Sequence, residues 1–118
     1  MNNFFYLHVG VDIEDVNRFN LDFKKNKTFL NRIFTKDELR YCFSKQNPSF
    51  HLAVRFAAKE AIVKAISSLG KKTPALNKLN IKNNKNGVPT IDLKGFDVRI
   101  SLSHCRDKAI AFALISKK

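Results

Sequence analysis

Residues 55–65 read RFAAKEAIVKA, a stretch typical of a long helix, and we expect the rest of the chain to be arranged around it. At about 100° per residue, Glu60 and Lys64 lie one turn apart on the same face. Ala53, Ala57 and Ala61 lie beside that face, where small side chains leave room for a metal, for phosphates or for another backbone. The alternative is an exposed ion pair, which stabilises a helix by only about 0.3 kcal/mol.

The pattern around this stretch predicts a central helix. Pro48 can occupy its first turn, with Asn47 or Ser49 as a cap, and Gly70 follows its last turn. Apolar residues surround most of the helical wheel, namely Leu52, Phe56, Ile62, Val63, Ile66 and Leu69. A helix that is apolar over so much of its circumference is buried.

The segments before this helix supply one strand and two short helices. Residues 4–13, FFYLHVGVDI, are rich in aromatic and β-branched side chains, which predicts a buried strand with Asp12 near its end. An Asp in that position is most often a cap or turn former. Residues 26–34 predict a short amphipathic helix with Phe29, Leu30 and Ile33 facing inward. A capping box at Thr35 and Glu38 starts the next helix, which should run to about residue 45.

The last forty residues predict strands. Residues 79–82 lead into NNKNG at 83–87, a strong hairpin signal, and then into 88–93. Residues 97–103 and 109–115 form a second predicted pair around a short turn. With only 118 residues, we expect one domain spanning residues 1–118, of the α+β class, with an antiparallel sheet packed around the long central helix.

The net charge of +12 predicts a polyanionic partner. A nucleic acid, an acidic protein and a multiply phosphorylated small molecule all fit that charge. No apolar run is long enough to span a membrane and Met1–Asn3 lacks the basic flank of a signal peptide, so we expect a soluble, cytoplasmic protein with no membrane partner. Cys42 and Cys105 have no metal-ligand spacing, and we expect no thiol chemistry from them.

Five segments together resemble one known family, the holo-acyl-carrier-protein synthases, which are small bacterial phosphopantetheinyl transferases. They are GVDI at 10–13 with Arg18 beyond it, RIFTKDEL at 32–39, RFAAKEA with Lys64-Ala65 at 55–65, NGVP at 86–89 and ISLSH at 100–104. These matches span the chain in the family's order. The resemblance implies the phosphopantetheinyl transferase fold.

Asp12 and Glu60 are carboxylates from distant segments that can converge in the fold. Without a His or Cys partner they would form a hard oxygen site, which suits Mg²⁺. The resemblance implies that coenzyme A completes this site, and that the serine of an apo acyl carrier protein attacks it to release 3′,5′-ADP. It implies that Lys64 neutralises a diphosphate oxygen, and that His104, Asn86 and Gly87 bind coenzyme A. The proton acceptor stays open between Glu60 and a metal-bound water.

The resemblance also bears on partners. Short members of the family assemble as homotrimers with sites between subunits, so a homotrimer is the expectation here. Basic side chains that could dock an acidic carrier protein are Lys24, Lys25, Lys27 and Arg32; a merely solvated basic face is the alternative. Arg55 and Lys59 point away from the Glu60 face of the helix. The rival functions are a basic nucleic-acid-binding module and a binder of coenzyme A or carrier protein without catalysis.

Overall fold

The computed structural model describes residues 6–118. Its strands are β1 (Leu7–Asp15), β2 (Lys82–Asn83), β3 (Pro89–Thr90), β4 (Phe96–His104) and β5 (Lys108–Lys117). Its α-helices are α1 (Lys27–Ile33), α2 (Lys36–Phe43) and α3 (Pro48–Ser68), and two short 3-10 helices cover Val16–Phe19 and Leu76–Lys78. Among residues 6–118, no helix has both the length and the apolarity needed to cross a membrane.

The predicted central helix is confirmed as α3, and its ends follow from local chemistry. Pro48 occupies its first turn after the cap residue Asn47, and Gly70 beyond its last turn takes a positive φ of 75°. The capping box that starts α2 is also confirmed. The Glu38 amide donates to Thr35 Oγ1 at 3.1 Å, and the Thr35 amide donates to Glu38 Oε1 at 2.8 Å.

The main sheet is antiparallel with the strand order β1-β5-β4, and α3 packs across one of its faces. Gly10 of β1 faces α3 so closely that an added Cβ would lie 1.9 Å from the Ala61 carbonyl oxygen. Ala57 and Ala61 are fully buried beneath the sheet. Of the three uses that the sequence left open for these alanines, Ala61 serves the close approach of another backbone, that of Gly10.

The prediction for the first strand is wrong in two respects. The strand continues to Asp15, so Asp12 lies inside β1 rather than at its end. Phe4 and Phe5, where the predicted strand begins, lie outside the described residues. The strand is also buried on one side only, because α3 covers a single face of a three-stranded sheet. The opposite face, called the outer sheet face below, exposes large apolar side chains: Leu7, Val9, Val11 and Ile13 of β1 and Ile110 and Phe112 of β5.

The core lies on both sides of α3. One cluster joins Ile62 and Ile66 to the alanines of β5, and a second joins Leu52 and Phe56 to α1 and α2. Leu30 and Ile33 of α1 are buried as predicted, but Phe29 is 37% exposed. The 83–87 turn is confirmed, although its hairpin has only two residues in each strand. The single domain expected over residues 1–118 stays a prediction.

A buried ion pair joins α3 to α2. Lys59 is fully buried, and its Nζ lies 2.5 Å from Glu38 Oε1. The same ammonium donates to the carbonyl oxygens of Ile33, Leu76 and Leu79 at 2.8, 3.0 and 2.7 Å. Glu38 Oε2 accepts from the Ile81 amide at 2.7 Å. The pair therefore fastens the 76–81 segment and the α1–α2 turn to α3.

Candidate active site

Asp12 points from β1 towards α3 and meets Lys64 there. Lys64 Nζ donates to Asp12 Oδ1 at 3.1 Å and to the Val11 carbonyl oxygen at 2.9 Å. The Asp12 side chain is only 11% exposed, whereas that of Lys64 is 54% exposed. Asp12 Oδ2 is buried and has no hydrogen-bond partner within residues 6–118. A buried carboxylate oxygen without a partner is costly, so this atom has unused capacity to bind a ligand.

Glu60 lies in the same neighbourhood, as the sequence predicted. Burial first, and the Asp12 carboxylate second, raise the pKa of Glu60, while Lys64 and Arg18 oppose that shift. The two carboxylates therefore lie close enough to repel each other across a partly buried space. A divalent cation would relieve this repulsion, since it favours the charged form of both groups.

Two further residues of this cluster, Glu14 and Arg18, were not assigned a role from the sequence. The Glu14 side chain is 13% exposed, and its Oε1 accepts from Arg18 Nη1 at 2.9 Å. Burial and then the neighbouring Asp12 raise the pKa of Glu14 to about 7, and Arg18 opposes the shift. The strand period of two places Asp12 and Glu14 on one face, and that pattern could have identified Glu14 once β1 was known to continue.

The donor set of this cluster suits a hard cation. Asp12 and Glu60 offer carboxylate oxygens, and Asp12 holds the orphaned Oδ2 described above. In the described part of the chain, no group of three or more His, Cys, Asp or Glu side chains forms a complete metal site. A cation held here would need oxygens from a substrate or from water as its remaining ligands, which is the usual habit of Mg²⁺.

A second cluster, the basic pocket, lies beside β4, the edge strand on the other side of β5 from β1. Four basic side chains, Lys45, His51, Arg55 and His104, line a cavity of about 440 Å³. The His104 ring lies 5.4 Å from that of Phe50, and both face the same cavity. Burial, followed by the charges of Arg55, Lys45 and His104, lowers the pKa of His51. Like charges this close favour an anion between them.

Arg55 connects this pocket to the hairpin at residues 82–90. It is 5% exposed, and it lines a neighbouring cavity of about 350 Å³ together with Asn83, Gly87 and Ser101. Gly87 takes a positive φ of 81° in the turn. Asn86 lies beside it, with its amide donating to Asn84 Oδ1 at 2.8 Å. Of the two predicted hairpin residues, Gly87 is thus among the residues lining the cavity and Asn86 is not.

The sequence-predicted residues fall into two groups. Asp12, Glu60 and Lys64 come together, whereas His104 and Gly87 lie with Arg55. Asp12 pairs with Ala111, which pairs with Leu102 on its other side, so β5 separates the two groups. Two strand spacings of about 4.8 Å place the backbones of β1 and β4 about 10 Å apart.

Arg55 and Lys59 do point away from the Glu60 face, as predicted. Arg55 reaches the basic pocket from that side, which the sequence did not reveal. Lys59 is occupied by its buried ion pair. Burial raises the pKa of the Cys42 thiol to about 11, which agrees with the absence of thiol chemistry predicted for that residue.

An antiparallel sheet packed on one long helix, with a carboxylate pair and a separate basic pocket, defines an α+β protein equipped for a phosphorylated ligand. The family model of the 4′-phosphopantetheinyl transferase superfamily matches residues 8–113 of this chain. The holo-[acyl-carrier-protein] synthase of Thermodesulfovibrio yellowstonii is 41% identical over 111 residues, covering 92% of this chain and 96% of its own. That of Protochlamydia amoebophila is 39% identical over 119 residues, covering 93% and 98%.

Solved structures agree with these relatives. A holo-(acyl-carrier-protein) synthase from Bacillus anthracis, in complex with CoA (3′,5′-ADP), has a TM-score of 0.79 at 27% identity and covers 94% of this chain and 96% of its own. The Helicobacter pylori enzyme in complex with coenzyme A has a TM-score of 0.76 at 28% identity, covering 92% and 99%. The chain belongs to the 4′-phosphopantetheinyl transferase superfamily and, within it, to the holo-[acyl-carrier-protein] synthases. The α+β fold and the enzyme class predicted from the sequence are thereby confirmed.

Proposed function

We propose that this protein transfers the 4′-phosphopantetheine group of coenzyme A to a serine hydroxyl of an apo acyl carrier protein, with Mg²⁺ as cofactor, and releases 3′,5′-ADP. The observation that carries the proposal is the carboxylate cluster, in which buried Asp12 Oδ2 has no partner among the described residues and Glu60 lies within electrostatic range. Family membership favours this transferase over the nucleic-acid-binding module that the charge alone also allowed.

Asp12 and Glu60 would hold the metal, because they supply the hard oxygen donors of the cluster. When bound, Mg²⁺ would neutralise negative charge on the diphosphate of coenzyme A. Lys64 already contacts Asp12 Oδ1 and remains half exposed, so its ammonium can turn to a phosphate oxygen on the open side. Arg18 has a similar freedom, with its side chain 52% exposed beside Glu14.

The chemical step needs little else from the protein. The serine oxygen of the carrier forms a bond to the phosphorus that bears pantetheine, and the bond from that phosphorus to the bridging oxygen breaks. The electron pair leaves with 3′,5′-ADP, and the serine proton passes to one of the two acceptors that the sequence left open, Glu60 or a water molecule. Because the nucleophile comes from the partner, the work of this chain is to hold two anionic groups together and to stabilise the charge on the leaving oxygen.

The basic pocket would bind the nucleotide end of coenzyme A. Its four basic side chains surround a cavity large enough for a phosphate, and Arg55 Nε is buried without a partner in the described residues. The adjoining cavity beside Gly87 is partly apolar, with Val88, Pro89 and Ile100 among its lining residues, and could receive an aromatic base. His104 belongs to the first cavity and Gly87 to the second.

A homotrimer would explain two features that one chain leaves unaccounted for. The carboxylate cluster and the basic pocket lie on opposite sides of β5. In a trimer, the basic pocket of one copy would lie beside the carboxylate cluster of a neighbouring copy. The outer sheet face exposes six large apolar side chains, among them Val9, Val11, Ile13 and Phe112 at 44–59%. Such a contiguous apolar surface is typical of a protein interface, and another copy of the chain would cover it.

The acyl carrier protein would dock on the basic surface near α1. Lys24, Lys25, Lys27 and Arg32 are all exposed there, so each is free to meet an acidic partner. Rim charges of this kind chiefly accelerate association and weaken with salt. A cytoplasmic location for this reaction stays a prediction.

Intact-mass spectrometry of an apo acyl carrier protein tests the proposal directly. The carrier is incubated with this protein, coenzyme A and Mg²⁺, beside the variants Asp12→Ala and Glu60→Gln. The matched control is Asp97→Ala, because Asp97 is an exposed carboxylate on β4, far from the cluster. We expect a gain of one phosphopantetheine with the wild type and the control, a gain at least about 100-fold slower with the two site variants, and none with a chelator.

Two results would contradict this scheme. If folded protein that binds coenzyme A gives no mass shift with several carriers, the protein is a binder without catalysis. A mass shift at the wild-type rate in both site variants would support the reaction but refute the assigned metal ligands. Calorimetric titration of Mn²⁺ onto the protein with 3′,5′-ADP gives a readout of the metal site that does not depend on turnover.

A further inference from the structure

We propose that Tyr41 is a positioning residue for coenzyme A, which holds Lys45, His51 and Arg55 in an arrangement that accepts the terminal phosphate monoester of the nucleotide. This inference rests on the proposed function and assigns a role to a residue of α2 that lies outside every motif discussed above. It acts through the basic pocket, not through the carboxylate cluster.

The aromatic ring of Tyr41 contacts three of the four basic side chains of the pocket. The Arg55 guanidinium lies 4.3 Å from the ring centroid, and Lys45 Nζ lies 4.6 Å from it. The His51 ring meets it edge to face, with 5.7 Å between centroids and an interplanar angle of 84°. A single side chain thus organises most of the positive charge around the cavity.

The Tyr41 hydroxyl extends this arrangement to the hairpin. Asn83 Nδ2 donates to Tyr41 Oη at 2.8 Å, and Asn83 Oδ1 accepts from Arg55 Nη2 at 3.3 Å. Arg55 Nη1 also donates to the His51 carbonyl oxygen at 3.4 Å. These two hydrogen bonds therefore hold the guanidinium in place. Arg55 as a whole is only 5% exposed, and its Nε is buried without an acceptor in the described part of the chain.

An aromatic ring suits this task better than a carboxylate does. Among the described residues, no Asp or Glu lines the cavity that the four basic groups share. The negative face of the ring attracts the cations and offsets part of their mutual repulsion. It supplies no counter-charge that an incoming phosphate would have to displace. Burial is the main cause of the lowered pKa of His51, and the positive charges of Arg55, Lys45 and His104 add to it.

A phosphate monoester matches what the pocket lacks. Its oxygens can accept charge-assisted hydrogen bonds from a preorganised guanidinium and from the neighbouring ammonium and imidazole groups. Dephospho-coenzyme A lacks this phosphate and is otherwise the same molecule. The contribution of Tyr41 should therefore appear with coenzyme A and 3′,5′-ADP and be absent with the dephosphorylated analogue.

The test compares Tyr41→Leu and Tyr41→Phe with Phe43→Leu, a matched control on the same helix whose ring contacts Phe23 instead. Calorimetry gives the Kd of 3′,5′-ADP and of dephospho-coenzyme A, and turnover of carrier protein gives kcat and the KM for coenzyme A. We expect Tyr41→Leu to weaken 3′,5′-ADP binding and to raise this KM about tenfold, the size of a partly buried cation–π contact. It should leave kcat and the Kd of dephospho-coenzyme A within about twofold of the wild-type values.

Tyr41→Phe loses only the hydrogen bond to Asn83. It should weaken 3′,5′-ADP binding about threefold, the scale of one neutral hydrogen bond.

Unchanged 3′,5′-ADP affinity in folded Tyr41→Leu protein overturns the proposal. So does an equal loss for both ligands, because Tyr41 would then act on the whole nucleotide rather than on its phosphate. If Tyr41→Leu fails to fold, the decision passes to Tyr41→Phe, where an affinity equal to that of the wild type counts against the proposal. A wild type that transfers nothing contradicts the proposed function instead, so the two failures are distinguishable.

Discussion

The two lysines that flank Glu60 in α3 have opposite surroundings. Lys59 is fully buried, and Glu38 and three carbonyl oxygens surround its ammonium. Lys64 is half exposed and reaches Asp12, whose second carboxylate oxygen is buried without a partner among the described residues. One charged cluster is complete within the chain and the other is not.

This difference separates a structural role from a ligand-binding role. A buried ion pair with every donor and acceptor satisfied cannot take up another group without losing a contact. A cluster that retains an unsatisfied buried oxygen is stabilised when a ligand supplies the missing hydrogen-bond or metal partner. The comparison predicts that substitutions in the Lys59 cluster reduce stability, and that substitutions in the Asp12 cluster reduce activity.

The largest effect is expected for Lys59→Met. It leaves the Glu38 carboxylate buried without its cation, which costs about 3–5 kcal/mol of unfolding free energy. Urea denaturation followed by circular dichroism measures the change. The double variant Lys59→Met with Glu38→Gln should recover part of the loss. A cost below about 1 kcal/mol would show that the pair is not what holds the 76–81 segment to α3.

Glu60→Gln should give the next largest effect, on activity and not on stability. We expect turnover to fall by about 100- to 1000-fold, the cost of removing one group that stabilises charge in the transition state. The unfolding free energy should change little, because burial and Asp12 already disfavour the charged form of Glu60. Steady-state kinetics and urea denaturation on the same preparation decide this. A large loss of stability would place Glu60 with Lys59 as a structural residue.

Lys64→Met should have a smaller effect on activity. Loss of one charge-assisted contact of about 1.5–3 kcal/mol lowers kcat/KM about 10- to 100-fold. Lys64→Arg preserves the charge and should restore most of it. Since the Lys64 side chain is half exposed, its ion pair contributes little to stability. Equal activity of the Met and Arg variants would contradict a role for the charge.

The smallest effect concerns His51, and it extends the comparison to the basic pocket. Its pKa is lowered in the folded protein, so between that value and the ordinary 6.5 the unfolded chain binds more protons. The contribution of neutral His51 to the unfolding free energy is therefore fully present above about pH 6.5 and is lost as the pH falls below that value. His51→Gln should lose less stability than the wild type between pH 7.5 and 5.5, as denaturation midpoints would show. Parallel pH profiles would mean that the pocket does not disfavour a protonated His51.

Features governed by neighbouring residues could be predicted from the sequence. The Pro48 start of α3, the capping box at Thr35 and the 83–87 turn each depend on contacts within a few residues, and all three appear as expected. The aromatic and β-branched residues that predict the first strand end at Ile13, so the sequence places Asp12 near a strand end. The polar continuation to Asp15 belongs to β1 because it pairs with β5, and Glu14 therefore shares a face with Asp12.

The sequence by itself determined the central helix, its ends, the motif residues of the carboxylate cluster and, through their resemblance, the family. Only the tertiary structure decided which of Lys59 and Lys64 is buried in a completed ion pair, that α3 leaves the outer sheet face uncovered, and that Tyr41 gathers Lys45, His51 and Arg55 around one cavity. The physical reason is that local signals depend on backbone geometry over a few residues. Burial and charge pairing depend instead on partners 20 or more positions away in the chain, as for Lys59 and Glu38.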